Sequence, residues 1–234
     1  MDGMDMVHVP VGEFVMGSDS AEDYDDEKPA HTVSLDGFWI DKYEVTHAQY
    51  DACVEADVCR AAVAVDWDMA GLDAPELPVV GVEWMDADSY CRWVGARLPT
   101  EAEWEKAARG VKGDPYPWGI HPADCQYAVM EDESGKGCSR EATWPVGSKP
   151  DGTSPYGALD MCGNVMEWVA DNYSYTYYEE SPEFNPVGPA SGKNKVLRGG
   201  AWTVTRPYVD TTVRFWVIPD TADSDIGFRC ARDE

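Results

Sequence analysis

The chain has 234 residues, with 44 acidic against 18 basic side chains and a formal net charge of −26 at pH 7. That balance leaves no basic footprint for nucleic acid or for an anionic membrane surface, and no apolar run is long enough to insert into a bilayer. The 10 Trp and 12 Tyr against 5 Phe, with 21 Gly and 16 Pro, point to a loop-rich fold in which ring N–H and O–H groups satisfy stray backbone groups.

No linker, low-complexity run or internal repeat divides the chain, so one domain is expected over residues 1–234. Residues 6–17 alternate and turn like a short hairpin. Residues 18–29 form an acidic surface loop, and 32–40 a strand pair or one bulged strand. Thr46 caps a first helix with Tyr50, Cys53 and Val54 on its apolar face. Residues 61–77 are a loop and 78–82 a buried strand. Asp86 caps a second helix carrying Tyr90, Cys91, Trp93 and Val94. Thr100 and Glu103 form a capping box for a third helix that runs to about Arg109 and stops at Gly110. Its glutamates are assigned to the helix dipole and to surface charge. Residues 116–119 are a turn, and an acidic tip lies between Cys125 and Cys138. A tight loop over 155–168 runs into a strand, and 172–195 is a long loop rich in Tyr, Glu and Pro.

The informative stretch comes last. Val196-Leu197-Arg198-Gly199-Gly200-Ala201-Trp202 and Ile226-Gly227-Phe228-Arg229-Cys230 are apolar, with glycines where backbones can approach closely. Between them, residues 203–225 show no period and mix Tyr208, Phe215 and Trp216 with Thr, Asp and Val. An aromatic and small-polar loop between two anchors reads as a recognition surface. The alternative is an irregular, buried end to a loop-rich fold.

Six blocks carry a family resemblance: Gly12-Glu13-Phe14-Val15-Met16-Gly17-Ser18, Glu44-Val45-Thr46, Arg97-Leu98-Pro99-Thr100-Glu101-Ala102-Glu103-Trp104-Glu105, Gly163-Asn164-Val165-Met166-Glu167-Trp168, Leu197-Arg198-Gly199-Gly200-Ala201-Trp202 and Gly227-Phe228-Arg229. With these the chain resembles the formylglycine-generating-enzyme-like domain of the C-type lectin fold. The resemblance implies an α+β fold with short antiparallel strands, two or three helices and much ordered loop. It does not by itself imply activity, because the family holds oxidases of sulfatase cysteines, iron-dependent sulfoxide-forming enzymes and non-catalytic binding domains.

The oxidases resemble one another in two copper-binding cysteines, five positions apart, soon after the Gly-Gly motif. Those slots hold Val204 and Val209 here, and valine offers no thiolate. The iron enzymes need clustered histidines, whereas His8, His31, His47 and His121 share no helical or hairpin spacing. No redox cofactor is expected. The third group includes variable proteins of diversity-generating retroelements, which resemble this chain in a hypervariable segment between Gly-Gly-Ser/Ala-Trp and Gly-Phe-Arg. Mutable template codons ending in C cannot encode Lys, Glu, Gln, Met or Trp, and residues 203–225 lack the first four entirely. Trp216 alone falls outside the reachable set, and Arg214, Pro219 and Asp220 match fixed positions of the family pattern.

This resemblance assigns ligand binding to Thr203, Val204, Thr205, Tyr208, Val209, Asp210, Thr212, Val213, Phe215, Trp216, Val217, Ile218, Thr221, Ala222, Asp223, Ser224 and Asp225. Tyr208, Phe215 and Trp216 would be the anchors, and Asp210, Asp223 and Asp225 would favour a basic partner. The expected protein is a non-catalytic monomer that binds a protein or other macromolecule. Its alternatives are an oxidase or iron-dependent relative with relocated ligands, and a structural domain without a ligand.

The resemblance further implies a Cys91–Cys230 disulfide and one structural Ca²⁺ or Mg²⁺. The ligands of that ion would be the Asp160 side chain, the Gly163 and Val165 carbonyls and the Glu167 carboxylate. A buried ion pair with Arg198 or Arg229 is the alternative for Glu167. The family's second calcium site would need Asn where Gln126 stands. Cys53–Cys59 and Cys125–Cys138 are the natural local pairs, leaving Cys162 as a small buried apolar residue. Free thiols are the alternative, and zinc is disfavoured because no Cys-x-x-Cys occurs. Disulfides would place the chain outside the cell, at its surface, or inside a thermophile. The acidic start Met1-Asp2-Gly3-Met4-Asp5 does not read as a signal peptide.

Overall fold

A computed structural model describes residues 3–64 and 71–234; the part of the expected 61–77 loop at 65–70 lies outside the described residues. In chain order the elements are β1 (Met6–Val9), β2 (Gly12–Met16), β3 (His31–Leu35), β4 (Phe38–Asp41), α1 (His47–Glu55), α2 (Trp84–Trp93) and α3 (Glu101–Arg109). They continue with β5 (Met166–Asn172), a one-turn α4 (Tyr177–Glu180), β6 (Lys195–Arg198), β7 (Phe215–Val217), β8 (Ile226–Phe228) and β9 (Ala231–Asp233). The strands form three small sheets, ordered β1-β4-β9, β2-β3 and β7-β6-β5-β8. Only β5 and β8 run parallel among the described pairs. The α+β class and its short strands are as expected.

The first hairpin is not formed. β1 pairs with β4, setting Met6 opposite Asp41, while β2 pairs with β3, setting Gly12 opposite Leu35. Pro10 lacks the N–H a tight turn would donate, and the inward residues Phe14 and Met16 of β2 pack with Val33 and Leu35 of β3 in one core. Residues 78–82 are buried at Val79, Val80 and Val82 but make no strand, only a bridge from Thr46 to Pro78. Pro78 has no donor, and Gly81 sits at φ 72°, which breaks the extended run.

Helix starts follow local side-chain chemistry. The Thr46 hydroxyl accepts from the Gln49 N–H, whose side chain accepts from the Thr46 N–H at 2.9 Å. At α3 the Glu103 N–H donates to Thr100 Oγ1 at 3.2 Å and the Thr100 N–H to Glu103 Oε2 at 2.8 Å. Gly110 then ends the helix at φ 67°. α2 begins earlier than expected: Glu83 is its cap, and Asp86, one turn in, accepts from the Glu83 N–H at 3.3 Å.

α3 lies inside the molecule. Trp104, Ala107 and Ala108 share a core with β2, β3 and β4, while Tyr50, Tyr90, Trp168 and Phe228 gather in a second core. The 172–195 stretch is ordered and buries Tyr177 and Tyr178. Three disulfides close the fold as expected: Cys91–Cys230 across 139 residues, and the local Cys53–Cys59 and Cys125–Cys138. Cys162 is free and buried.

Candidate binding site on the 203–225 segment

The two glycine anchors fold the segment back on the core. Gly200 has φ 71°, and a Cβ there would lie 2.3 Å from the Tyr208 carbonyl oxygen; at Gly227 it would lie 2.8 Å from the Val79 oxygen. The ends of the segment are tied across the gap. The Trp202 indole donates to the Ser224 carbonyl at 3.0 Å, and the Thr203 hydroxyl to Asp225 at 2.5 Å.

The middle is pinned by buried charge. Arg198 on β6 donates to Glu101 at 3.1 Å and Glu105 at 2.8 Å, both on α3, and to the carbonyls of Thr211 and Thr212. Arg214 grips Glu101 through both oxygens, at 2.7 and 2.9 Å, and donates to the Asp26 carbonyl at 2.8 Å. Arg109 completes the set on Glu105 at 2.9 Å. Burial opposes ionisation of Glu101, but Arg214 and Arg198 outweigh it and hold the carboxyl below its ordinary range. The expectation of surface charge on α3 is therefore corrected: Glu101, Glu103 and Glu105 are all buried. The available sequence signal was their place among Ala102, Trp104, Ala107 and Ala108.

This pinning sorts the expected ligand residues. Thr205, Tyr208, Trp216, Ile218 and Asp223 are exposed. Thr203, Val204, Asp210, Phe215, Val217, Thr221, Ala222 and Asp225 are half-buried. Val209, Thr212, Val213 and Ser224 are buried, which corrects their expected place at the surface. Val209 packs with Ala123, Ala128, Met130 and Cys162, Thr212 is drawn in by the Arg198 bond, and Ser224 by Trp202.

The three aromatic anchors do not form one cluster. Phe215 and Trp216 are successive on β7 and point to opposite faces. Tyr208 stands with Phe215, their centroids 6.3 Å apart, and stacks on Tyr24 of the acidic loop at 6.3 Å and 18°. Trp216 stacks on Tyr173 at 5.2 Å and 24°. Tyr24 and Tyr173 thus extend the surface beyond the segment, through pairings that sequence reading missed and that span more than 180 and 40 positions respectively.

The oxidase slots are apolar. Val209 is packed in the apolar cluster that holds Cys162, with Val204 against it, and burial pushes the Cys162 thiol well above its usual range. His8, His31 and His47 lie on β1, β3 and α1, and His121 in a loop. Among the described residues, no three His, Cys, Asp or Glu side chains are placed to hold a metal. Arg229 donates to both oxygens of Glu167, at 2.6 and 2.7 Å, and the Trp104 indole adds a bond at 2.9 Å. A guanidinium already neutralises that carboxylate, so the expected Ca²⁺ or Mg²⁺ set does not fit as arranged, and the ion-pair alternative with Arg229 describes Glu167. Asp160 accepts from the Gly147 N–H at 2.5 Å, and burial raises both it and its neighbour Glu44 above the ordinary carboxylate range.

A cleft of about 880 Å³ opens elsewhere, lined by Leu35, Trp84, Arg92, Arg97 and Asp233 and by no residue of 203–225. Its arginines are paired, Arg92 with Asp88 and Arg97 with Glu103, each at 2.7 Å. No described helix is long and apolar enough to cross a membrane.

Residues 1–234 match the family described as the sulfatase-modifying factor enzyme 1-like domain. A formylglycine-generating enzyme of Streptomyces coelicolor is 36% identical over 287 residues, covering 97% of this chain and 88% of that protein. Among solved structures, PvdO from Pseudomonas aeruginosa is similar with TM-score 0.86 and 29% identity, over 100% of this chain and 95% of that one. Treponema denticola variable protein 1 is similar with TM-score 0.81 and 25% identity, over 98% and 95% of the two chains. By fold, motif blocks and full-length match, the chain belongs to the sulfatase-modifying factor enzyme 1-like domain family.

Proposed function

We propose that this family member is a non-catalytic binding protein that displays a diversified surface for a protein ligand. One observation carries the reading: residues 203–225 divide into a pinned set and a free set. The ends and the 211–214 stretch are held by Trp202, Arg198 and Glu101, while Thr205, Tyr208, Trp216, Ile218 and Asp223 reach solvent. A scaffold built this way tolerates new side chains at the free positions without repacking. Likeness to Treponema denticola variable protein 1 supports the reading, as do valines where the enzymes of the family need thiolates. Three disulfides support a site of action outside the cell.

The family's enzymes supply the competing reading, and one experiment separates the two. The immobilised protein is used to select peptides from a random display library, and a parallel sample with copper is incubated with a cysteine peptide under air. Selected peptides that bind at least tenfold more weakly to Tyr208→Ala or Trp216→Ala, with the cysteine unchanged, are the expected result. Conversion of the cysteine to an aldehyde would overturn the proposal.

A further inference from the structure

The cleft of about 880 Å³ takes its walls from distant parts of the chain and none from 203–225. Trp84, Asp88 and Arg92 line it from one face of α2, four residues apart each time. Leu35 and Asp36 line it at the end of β3, and Asp233 at the end of β9. Asn185 and Val187 line it from the stretch laid beside β3, where the Ser34 N–H donates to the Glu183 carbonyl at 2.7 Å and the Asn185 N–H to the Ser34 carbonyl at 3.0 Å. Leu35 and Leu98 are buried at its base, while Val11 and Val187 are each 67% exposed at its edge. Phe184, next to Asn185, is 72% exposed. Exposed apolar side chains gathered about a concavity of this size mark a place where another molecule packs.

The charges of the cleft are unevenly matched. Asp88 has Arg92 at 2.7 Å. Arg97 serves two carboxylates, Glu103 at 2.7 Å and Asp233 at 2.6 Å. Asp36 is joined only to a neutral amide, exchanging bonds of 2.9 Å with Asn185, and Glu234 meets the His8 ring at 3.5 Å. Among the described residues no lysine or arginine forms an ion pair with Asp36 or Glu234. The surplus is negative and lies in the open: the Asp233 and Glu234 side chains are 82% and 59% exposed.

This combination selects an occupant. A second copy of the chain would bring its own charge of −26 to an acidic face. A metal ion would leave the apolar base unused, and no described trio of side chains is placed to hold one. Lysine and arginine fit both features, because their stems lie along apolar surface while their heads reach carboxylates. Exposed ion pairs alone contribute little, so aliphatic side chains on the same ligand must fill the base.

We propose that this cleft is a second, constant docking site, and that it takes a basic segment of a partner protein in which lysines or arginines flank aliphatic side chains. It goes beyond the binding role proposed for 203–225 and stands apart from it. Diversification of that segment leaves every wall of the cleft unchanged, so all versions of the protein would share this partner.

The test is fluorescence anisotropy at low salt with the labelled peptide acetyl-Lys-Leu-Arg-Leu-Lys-amide. The comparison peptides are Lys-Gly-Arg-Gly-Lys, which keeps the charge, and Gln-Leu-Gln-Leu-Gln, which keeps the aliphatic side chains. Saturable binding of the first peptide is expected, with both others at least fivefold weaker. Asp36→Asn combined with Glu234→Gln is expected to weaken it at least tenfold, and Val187→Ser at least threefold. Glu22→Gln with Glu133→Gln, which removes two exposed acids outside the cleft, is expected to change it less than twofold. Absence of binding, equal binding of either comparison peptide, or an equal loss in the Glu22 and Glu133 variant would each overturn the site. A dimer of the parent chain in sedimentation that Val187→Ser abolishes would overturn it too, by making a second copy the occupant. Should the Asp36 and Glu234 variant not fold, full binding by Val187→Ser still overturns the proposal. Loss of peptides selected on 203–225, with this binding intact, defeats the role of that segment alone.

Discussion

Arg214 holds Glu101 through two hydrogen bonds, 2.7 and 2.9 Å, where neither side chain meets solvent. Removing one partner of such a pair strands the other charge, so Arg214→Ala is expected to destabilise by about 3–5 kcal/mol, read from urea unfolding. Glu27 has the opposite sign. Its folded carboxyl titrates at about 7 against an ordinary 4.5, so the folded chain binds more protons than the unfolded one between those values. Stability therefore falls as pH rises from 4.5 to 7 and levels off above. Glu27→Gln is expected to flatten that decline and to add about 1–3 kcal/mol above pH 7, measured by thermal unfolding across pH. Of these residue-level facts, sequence showed the valines in the oxidase slots and marked Arg214 as fixed. It did not show that Glu101 and Glu105 are buried, because their partners Arg198 and Arg214 lie 93 to 113 positions away. A charge on a helix reads as solvated until its distant counter-charge is placed.

The starts of α1 and α3 were legible because capping is local, whereas α2 starts at Glu83 and not at Asp86. Thr100, Glu103 and Gly110 bracket α3 locally, and Thr100→Ala is expected to cost about 1 kcal/mol in the same unfolding assay. Strand partners were not legible, because alternation in β1 and β2 gives which side chains face inward but not which strand lies alongside. Their partners, β4 and β3, were decided by where Phe14 and Met16 find Val33 and Leu35. The Cys91–Cys230 link followed from family likeness, and it ties α2 to the residue just before β9. A loop of 139 residues makes its entropic contribution large, so Cys91→Ala with Cys230→Ala is expected to lose about 3–5 kcal/mol. Reductant should then have a smaller effect on the double variant than on the parent.

At the scale of the molecule, the buried charges, the glycine anchors and the Cys91–Cys230 disulfide act on one C-terminal segment. The composition of 203–225 suggested a recognition surface, yet only some of its residues reach solvent, and its aromatics divide into the Tyr24–Tyr208–Phe215 and Tyr173–Trp216 groups. No one-dimensional pattern shows that division, because β7 sends neighbours to opposite faces and the stacking partners come from remote loops. Acidity acts at this scale too: with a charge of −26, association with cationic ligands should slow as salt rises. That the exposed positions choose the ligand while the pinned ones keep the fold is the reading proposed for the segment. It is tested by giving the chain new residues at Thr205, Tyr208, Trp216, Ile218 and Asp223 together, then measuring the affinities of both proteins for peptides selected on the parent. An unfolding midpoint within about 2 °C of the parent is expected, as surface substitutions allow, with at least tenfold weaker binding of the parent's peptides. Unchanged affinity with an intact fold would contradict it.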